Sequence, residues 1–477
     1  MDLQQLECGI DAYVDEVWDD VLDDIASLVS HNSVARAEDG VAGAPFGPGV
    51  RGALDCALGI ARKLGYETSE DEGFMGMADI PGERAEQLAT IAHVDVVPAG
   101  PGWATDPFRM ERREGWLVGR GVIDDKGPAV LSLYAGAYLL RCGVTPRYTF
   151  RALLGCDEEV GMSDVHHYLD RHPQPAFLFT PDAEFPVCNA EKGQLGGRFV
   201  SASIEDGRIV SWSGAEATNA IPGQSELILS LDASEFGLPQ ANADRLSAEP
   251  EGAGRTRIFA KGIGGHASLP EGSLNAIGLV AAYLRELLAD KPDALAPAEH
   301  DFVKLLGYLT ADAYGKVAGI ASESAAFGPL TMNAGTVRVR EDGRLEQTID
   351  VRFPDSTDVQ TIRSALEALA CAHGCTFELT SAKDPFSTSA ESPAVQVLVN
   401  TYNEVTSKSA EPFAMGGGTY ARNFERAVSF GPEEDGLELP VWGGPMHGPN
   451  EVANEALLRQ ALKIYILAIL RLQDVEL

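Results

Sequence analysis

The sequence predicts an α/β protein: a doubly wound domain with a mainly parallel sheet, interrupted by an inserted α+β lid domain. Three observations carry that prediction. Short apolar runs alternate with helical patterns over residues 1–191 and again over 386–477, the rhythm of parallel strands joined by crossover helices. Residues 192–385 read as several strands with two longer helical stretches, which predicts a separate inserted domain that can hold two similar halves. The residues best suited to chemistry fall just past the apolar runs, where open α/β sheets bind their ligands.

In chain order, residues 13–30 place Val14, Val17, Trp18, Val21, Leu22, Ile25 and Leu28 at helical spacing. A Pro- and Gly-containing loop (Pro45, Gly47, Pro48, Gly49) leads to a second helix, 50–64, stopped by Gly65. Residues 88–97 read as a strand, and 126–141 as a helix with Val130, Leu133, Tyr134, Ala137 and Leu140 on one face. The stretch 147–154 alternates as a strand. Ser163 or Asp164 can cap the helix after it, and Pro173 ends that helix. A short buried strand follows at 176–180. In the insert, 198–205, 226–232, 257–261 and 331–339 read as strands and 273–288 and 359–372 as helices. The α/β rhythm resumes with a helix at 395–405, a strand at 427–430 and a final helix at 451–472.

Composition narrows the function. A length of 477 residues exceeds one ordinary domain, and an apolar content of 45% excludes general disorder. Net charge is −34, so nucleic acid and anionic membrane surfaces are not expected partners. An anionic group on a substrate must then be met by locally placed Arg, Lys or metal. The seven cysteines form no C-x-x-C pair and read as reduced thiols of a cytoplasmic protein. The acidic N-terminal stretch has neither the basic start nor the apolar core of a signal peptide. The longest apolar run, 464–470, is far short of the roughly 20 residues needed to span a bilayer.

Two pieces of 91–130 are suited to holding cations. His93-Val94-Asp95 closes an apolar run, and residues two apart in a strand face the same way, so Asp95 can take the second ring proton of His93. Asp124-Asp125-Lys126-Gly127 follows the turn Gly119-Arg120-Gly121 and sets a carboxylate just before a helix. Glu158 and Glu159 lie past one predicted strand, Asp182 lies past the next, and His447 precedes Gly448-Pro449. The ligand candidates are therefore His93, Asp124, Glu159, Asp182 and His447, with Asp95 and Glu158 beside them. Carboxylates mixed with imidazoles, without thiolate, suit zinc, manganese or cobalt in a hydrolytic site rather than a structural zinc. Five ligands divide into two per cation plus one bridging carboxylate. Of the adjacent pair Glu158-Glu159, one would bind metal while the other takes a proton from water.

The blocks HVDVVPAG, GWATDPF, GRGVIDDKGP, GCDEEVGMSD, PDAEFPV with EKG, GGHASLPEGSLNA, MNAG, DVRFP, GGGTYAR and MHGPNE stand in an order that resembles the PepV-like dipeptidases. These are di-zinc metallopeptidases related to carnosinase, aminoacylase, glutamate carboxypeptidase and succinyl-diaminopimelate desuccinylase. The resemblance implies that His93, Asp124 and Asp182 hold one cation and Asp124, Glu159 and His447 the other, with Asp124 as the bridge. It implies Glu158 as general base and then acid, Asp95 as the group orienting His93, and a cis peptide at Asp124–Asp125. From the insert it implies His266 stabilising the oxyanion and Asn219 positioning substrate. Arg352 and the loop Gly416-Gly417-Gly418 would receive the substrate's terminal carboxylate.

The expected activity is hydrolysis of dipeptides with free amino and carboxyl ends, β-alanyl dipeptides among them. It would use two divalent cations, zinc first and manganese or cobalt as alternatives. The alternative within the same chemistry is an N-acyl-amino-acid deacylase such as a desuccinylase. A non-catalytic peptide-binding protein would require loss of the base or of a ligand, and neither is lost. The expected partner is a small peptide, and a monomer is favoured over a homodimer.

Overall fold

In a computed structural model, residues 6–237, 241–252, 254–434 and 436–477 are described; Met1 to Gln5 of the acidic N-terminal stretch lie outside them. The chain divides into two compact units. The first is Met1–Asn189 with Ser387–Phe413 and Gly418–Leu477, and the second is Ala190–Phe386 with Ala414–Gly417.

The first unit is built on one large sheet. Six of its nine strands are β1 (Glu67–Asp71), β2 (Met75–Ile80), β3 (Arg84–His93), β4 (Tyr148–Gly155), β5 (Phe177–Thr180) and β6 (Ala427–Ser429), in spatial order β1-β2-β4-β3-β5-β6. The centre is parallel: β4 with β3, β3 with β5, and β5 with β6. The outer pairs β1-β2 and β2-β4 are antiparallel. Leu88 to Ala92 of β3 are buried without alternation, as expected of a central strand covered on both faces. Parallel register sets His93 level with Gly155, so whatever follows β4 arrives beside the last residue of β3.

Helices α1 (Ile10–Val29), α2 (Pro48–Leu64), α3 (Lys126–Arg141), α4 (Ser163–Leu169), α5 (Pro393–Thr406) and α6 (Glu455–Leu472) cover the sheet. Gly65 ends α2 at φ +98°, a left-handed conformation that favours glycine. Helix α3 is buried from Lys126 to Leu139 rather than along one face, because it packs against the sheet on one side and α1 and α6 on the other. Its Tyr134 hydroxyl donates to the Asp24 carboxylate of α1 at 2.7 Å.

Several expected boundaries move, each for a physical reason. The strand expected to reach Val97 ends at His93, since the chain beyond it leaves the ladder to form the site. Neither Ser163 nor Asp164 caps α4. Met162 stands at that position in the left-handed region, and the Asp164 carboxylate accepts from Cys156 and Asp157 instead. The last helix starts at Glu455, because Val452–Asn454 pairs as a strand with Trp116–Val118. Asn454 caps it, accepting from Ala456 and Leu457.

The second unit contains two four-stranded antiparallel sheets. One orders Thr331–Val339, Leu345–Phe353, Gly193–Val200 and Thr376–Lys383; the other orders Ile209–Ser213, Gln224–Leu229, Thr256–Lys261 and Leu246–Pro250. Among the described residues its α-helices are Ala276–Asp290, Pro297–Leu309 and Val359–Ala372, one more than expected. The additional helix has a start signal in the sequence, Pro297 in its first turn and Glu299 behind it. Glu299 is buried and accepts from the backbone of Ala296, Arg208 and Ile209.

Candidate active site

The ends of β3, β4 and β5 and the loop before α3 bring the candidate ligands of the first unit together. His93 is fully buried. Its Nε2 lies 3.0 Å from Asp124 Oδ1 and 3.8 Å from Asp182 Oδ2. Its Nδ1 is 3.0 Å from the Asp95 carbonyl oxygen and 3.4 Å from the Asp95 carboxylate. The nearer acceptor is thus a main-chain oxygen, because Asp95 lies beyond the strand and not two residues along it. The Asp95 carboxylate accepts from the N–H groups of Glu158 and Glu159 at 3.3 and 3.2 Å, tying the tail of β3 to the acidic turn after β4.

Asp124 faces both imidazoles, with Oδ2 2.7 Å from His447 Nε2. The same nitrogen lies 3.3 Å from Glu159 Oε2, and Glu159 Oε1 accepts from the Val97 N–H at 3.2 Å. The Asp124–Asp125 peptide is cis. Two sets of donor atoms each fall within 4.8 Å of one another: His93 with Asp124 and Glu159, and His93 with Glu158 and Asp182.

Charge in this cluster is unbalanced. Burial pushes the Glu158 carboxyl well above its ordinary range, and Asp182, Glu159 and Asp124 push it further. Burial, then Asp124, raises Asp182 to about 7. Burial also opposes ionisation of Asp124, but its bonds to His447 and His93 prevail and hold it well below the usual range. His93 resists the downward pull of its burial because Asp124 and Asp95 favour the imidazolium. His447 is raised to about 11 by its bonds to Asp124 and Glu159. Four carboxyl groups (Asp124, Glu158, Glu159, Asp182) therefore surround two imidazoles; ionised together beside neutral rings they would carry an excess of negative charge that divalent cations would neutralise. The donor set, oxygen and imidazole nitrogen with no sulfur, fits such cations.

Sequence reasoning missed the groups that hold this cluster in place. Asp125 Oδ2 accepts from the His93 N–H at 3.0 Å. Lys126 is fully buried, its Nζ donates to the His31 carbonyl at 2.7 Å, and burial pushes its ammonium down to about 7. Asp164 accepts from the N–H groups of Cys156 and Asp157 at 2.6 and 3.0 Å and from the Tyr420 hydroxyl, which anchors the turn carrying Glu158. Tyr420 sits edge-on to His93, with ring centroids 6.4 Å apart. A Cβ on Gly155 would come within 2.1 Å of the Tyr420 oxygen, so only glycine fits that strand end. The blocks GCDEEVG and GGGTYAR were visible in the sequence; that they meet was not.

The remaining candidates belong to the second unit, except Gly418. Asn219 Nδ2 lies 3.5 Å from His266 Nε2, and the Asn219 carbonyl accepts from Ala267 at 2.8 Å. The other His266 nitrogen is 2.6 Å from the Ser268 hydroxyl. The Arg352 guanidinium forks onto Asp350, at 2.7 and 2.9 Å, and donates at 3.0 Å to the Gly416 carbonyl. A Cβ on Gly416 would come within 2.4 Å of the Ser268 side chain.

A parallel-centred sheet with carboxylates and imidazoles gathered past its strand ends defines a metal-dependent hydrolase. The chain belongs to peptidase family M20/M25/M40, whose family model matches residues 89–471. It is 31% identical over 427 residues to YtjP of Bacillus subtilis (strain 168), covering 87% of this chain and 90% of that protein. It is 30% identical over 474 residues to the Beta-Ala-Xaa dipeptidase of Lactobacillus delbrueckii subsp. lactis, covering 96% and 97%. Among solved structures, human carnosine dipeptidase 1 matches in fold with a TM-score of 0.59 at 13% identity, over 99% of each chain. The aminoacylhistidine dipeptidase of Vibrio alginolyticus matches with a TM-score of 0.54 at 16% identity, over 95% of this chain and 96% of the other. Among the described residues no helix is long and apolar enough to cross a membrane.

Proposed function

We propose that this chain hydrolyses dipeptides that carry a free amine and a free carboxylate, β-alanyl dipeptides among them, with two divalent cations. The observation that carries the reading is Asp124, whose two carboxylate oxygens face one imidazole each, His93 at 3.0 Å and His447 at 2.7 Å. One carboxylate between two nitrogen donors suits a bridge. His93 and Asp182 would complete one cation site, Glu159 and His447 the other. Zinc is the first choice, with manganese and cobalt as alternatives. Bound there, the cations supply Lewis-acid polarisation of the scissile carbonyl and lower the pKa of water.

The chain's own groups do the rest. Glu158 takes a proton from the attacking water as its oxygen bonds to the carbonyl carbon. It then gives that proton to the amine as the C–N bond breaks. Asp95 keeps the His93 ring in orientation through Nδ1 and fixes the backbone of Glu158. From the second unit we assign the oxyanion to His266 and substrate positioning to Asn219. The substrate carboxylate goes to Arg352 and the N–H groups of Gly416, Gly417 and Gly418. Asp350 holds the Arg352 guanidinium in one plane, and the three contacts made by Arg352 leave two of its five N–H groups for a ligand.

The name of the Lactobacillus relative supports the β-alanyl substrates. Seven cysteines with no C-x-x-C pair among them support a cytoplasmic location, and we favour a monomer. The deciding experiment is a substrate panel with zinc or manganese: unblocked α- and β-alanyl dipeptides against N-acetyl and N-succinyl amino acids. Turnover of the unblocked peptides is expected. Turnover confined to acylated amino acids would make the protein a deacylase.

A further inference from the structure

We propose that Arg120 and Glu451 are positioning residues that fix His447 against Asp124, and so set the affinity of the cation site that His447 would complete more than that of the other. This rests on the two-cation reading. Both side chains are completely buried and pair at 2.5 Å, Arg120 Nη1 to Glu451 Oε2. Each also reaches a different piece of the site. Arg120 Nη2 donates to the carbonyl oxygens of His447 and Gly448, each at 3.1 Å. Glu451 Oε1 accepts from the N–H groups of Gly121, Ile123 and Asp124 at 3.0, 3.2 and 3.5 Å, in the loop that delivers the Asp124 side chain. One ion pair thus gathers five main-chain hydrogen bonds, two from the His447 segment and three from the Asp124 loop.

The His447 segment needs such support. His447 itself stands at φ +60° and Asn450 at φ +55°, left-handed conformations that non-glycine residues adopt at a cost. The imidazole of His447 is 53% exposed, so packing holds the ring little and its place depends on its backbone and on its contacts with Asp124 and Glu159. Outside the cluster, Asn450 anchors the segment by accepting from the Ala104 N–H at 2.7 Å. A buried ion pair is a poor device for stability alone, because an apolar pair of the same volume commonly does as well. An apolar pair cannot present directed donors and acceptors to two loops at once. His93 ends β3 and Asp182 lies just past β5, and among the described residues neither hydrogen-bonds with Arg120 or Glu451.

The test titrates cobalt(II) into metal-free wild type, Glu451→Gln and Arg120→Lys. It follows the visible spectrum and the heat of binding, with thermal unfolding of each metal-free protein alongside. Wild type is expected to bind two cations. Each variant should bind the cation of the His447 site about 10- to 100-fold more weakly and lose less affinity at the other, with the fold retained and a changed cobalt spectrum. Two native-affinity cations in both variants would overturn the proposal. Equal weakening of both cations would also overturn it, as would loss of the fold in both variants, since the pair would then be structural. A wild-type protein that takes up fewer than two cations would refute the two-cation reading instead, which separates the two failures.

Discussion

Replacing Glu158 by Gln separates the two tasks that its position allows. The oxygen and nitrogen donors of His93, Glu158 and Asp182 lie within 4.8 Å of one another, so by distance alone Glu158 could be a ligand. Its proposed task is that of proton carrier. The substitution keeps the shape, and the backbone of the turn stays fastened, because Asp95 holds the N–H groups of residues 158 and 159 and Asp164 those of 156 and 157. It also removes a carboxyl that burial and its acidic neighbours disfavour in ionised form, so thermal stability of the metal-free protein should not fall. General acid–base catalysis is worth roughly 10²- to 10⁴-fold, or about 3–5 kcal/mol on the barrier. The expected result is a kcat lowered by that factor on an unblocked dipeptide, with the metal content of the purified variant unchanged by elemental analysis. A kcat within tenfold of wild type, or loss of a cation from the variant, would refute the assignment.

Other expectations follow from the same contacts. Gly155→Ala forces a Cβ to within 2.1 Å of the Tyr420 oxygen, so overpacking should cost about 1–3 kcal/mol in denaturant unfolding and depress turnover by shifting the turn that bears Glu158; an unchanged midpoint would contradict the packing. In the metal-free protein His447 titrates near 11 instead of 6.5. Its contribution to stability is complete below about 6.5 and is lost as pH rises through about 11. Cation binding requires the neutral ring, so it should release protons at neutral pH and strengthen as pH rises. Calorimetry in buffers of different ionisation heat reads this directly, and binding without proton release would argue against His447 as a ligand. Arg352→Lys breaks the fork onto Asp350 and should raise KM for dipeptides about tenfold or more while changing kcat less; an unchanged KM would remove Arg352 from substrate recognition.

What the sequence revealed follows from which signals are local. Period and punctuation marked the ends of β4 and β5, and the rule that ligands lie past such ends pointed to Glu159 and Asp182 without knowledge of the fold, while His93 closed an apolar run whose strand was expected to continue to Val97. Asp124 and His447, 323 positions apart by their numbers, needed the order of the whole set of blocks to be linked. What stayed hidden were partners that only folding brings together. Glu451 reads as the opening of a helix until Val452–Asn454 pairs as a strand and turns its carboxylate toward Arg120. Asp164 reads as a helix cap until Met162 takes that position and frees it for the turn below Glu158. The Asp95 carbonyl displaced the Asp95 carboxylate as the nearer acceptor for His93 because β3 stops at His93, four residues short of its expected end at Val97.

The central claim is that Asp124 is shared by two cations. Anomalous diffraction from crystals of the zinc-loaded protein tests it most directly. The account predicts two peaks about 3.5–4 Å apart, both contacted by Asp124, one by His93 and Asp182 and the other by Glu159 and His447. A single peak, or two peaks of which one lies away from Asp124, would contradict it.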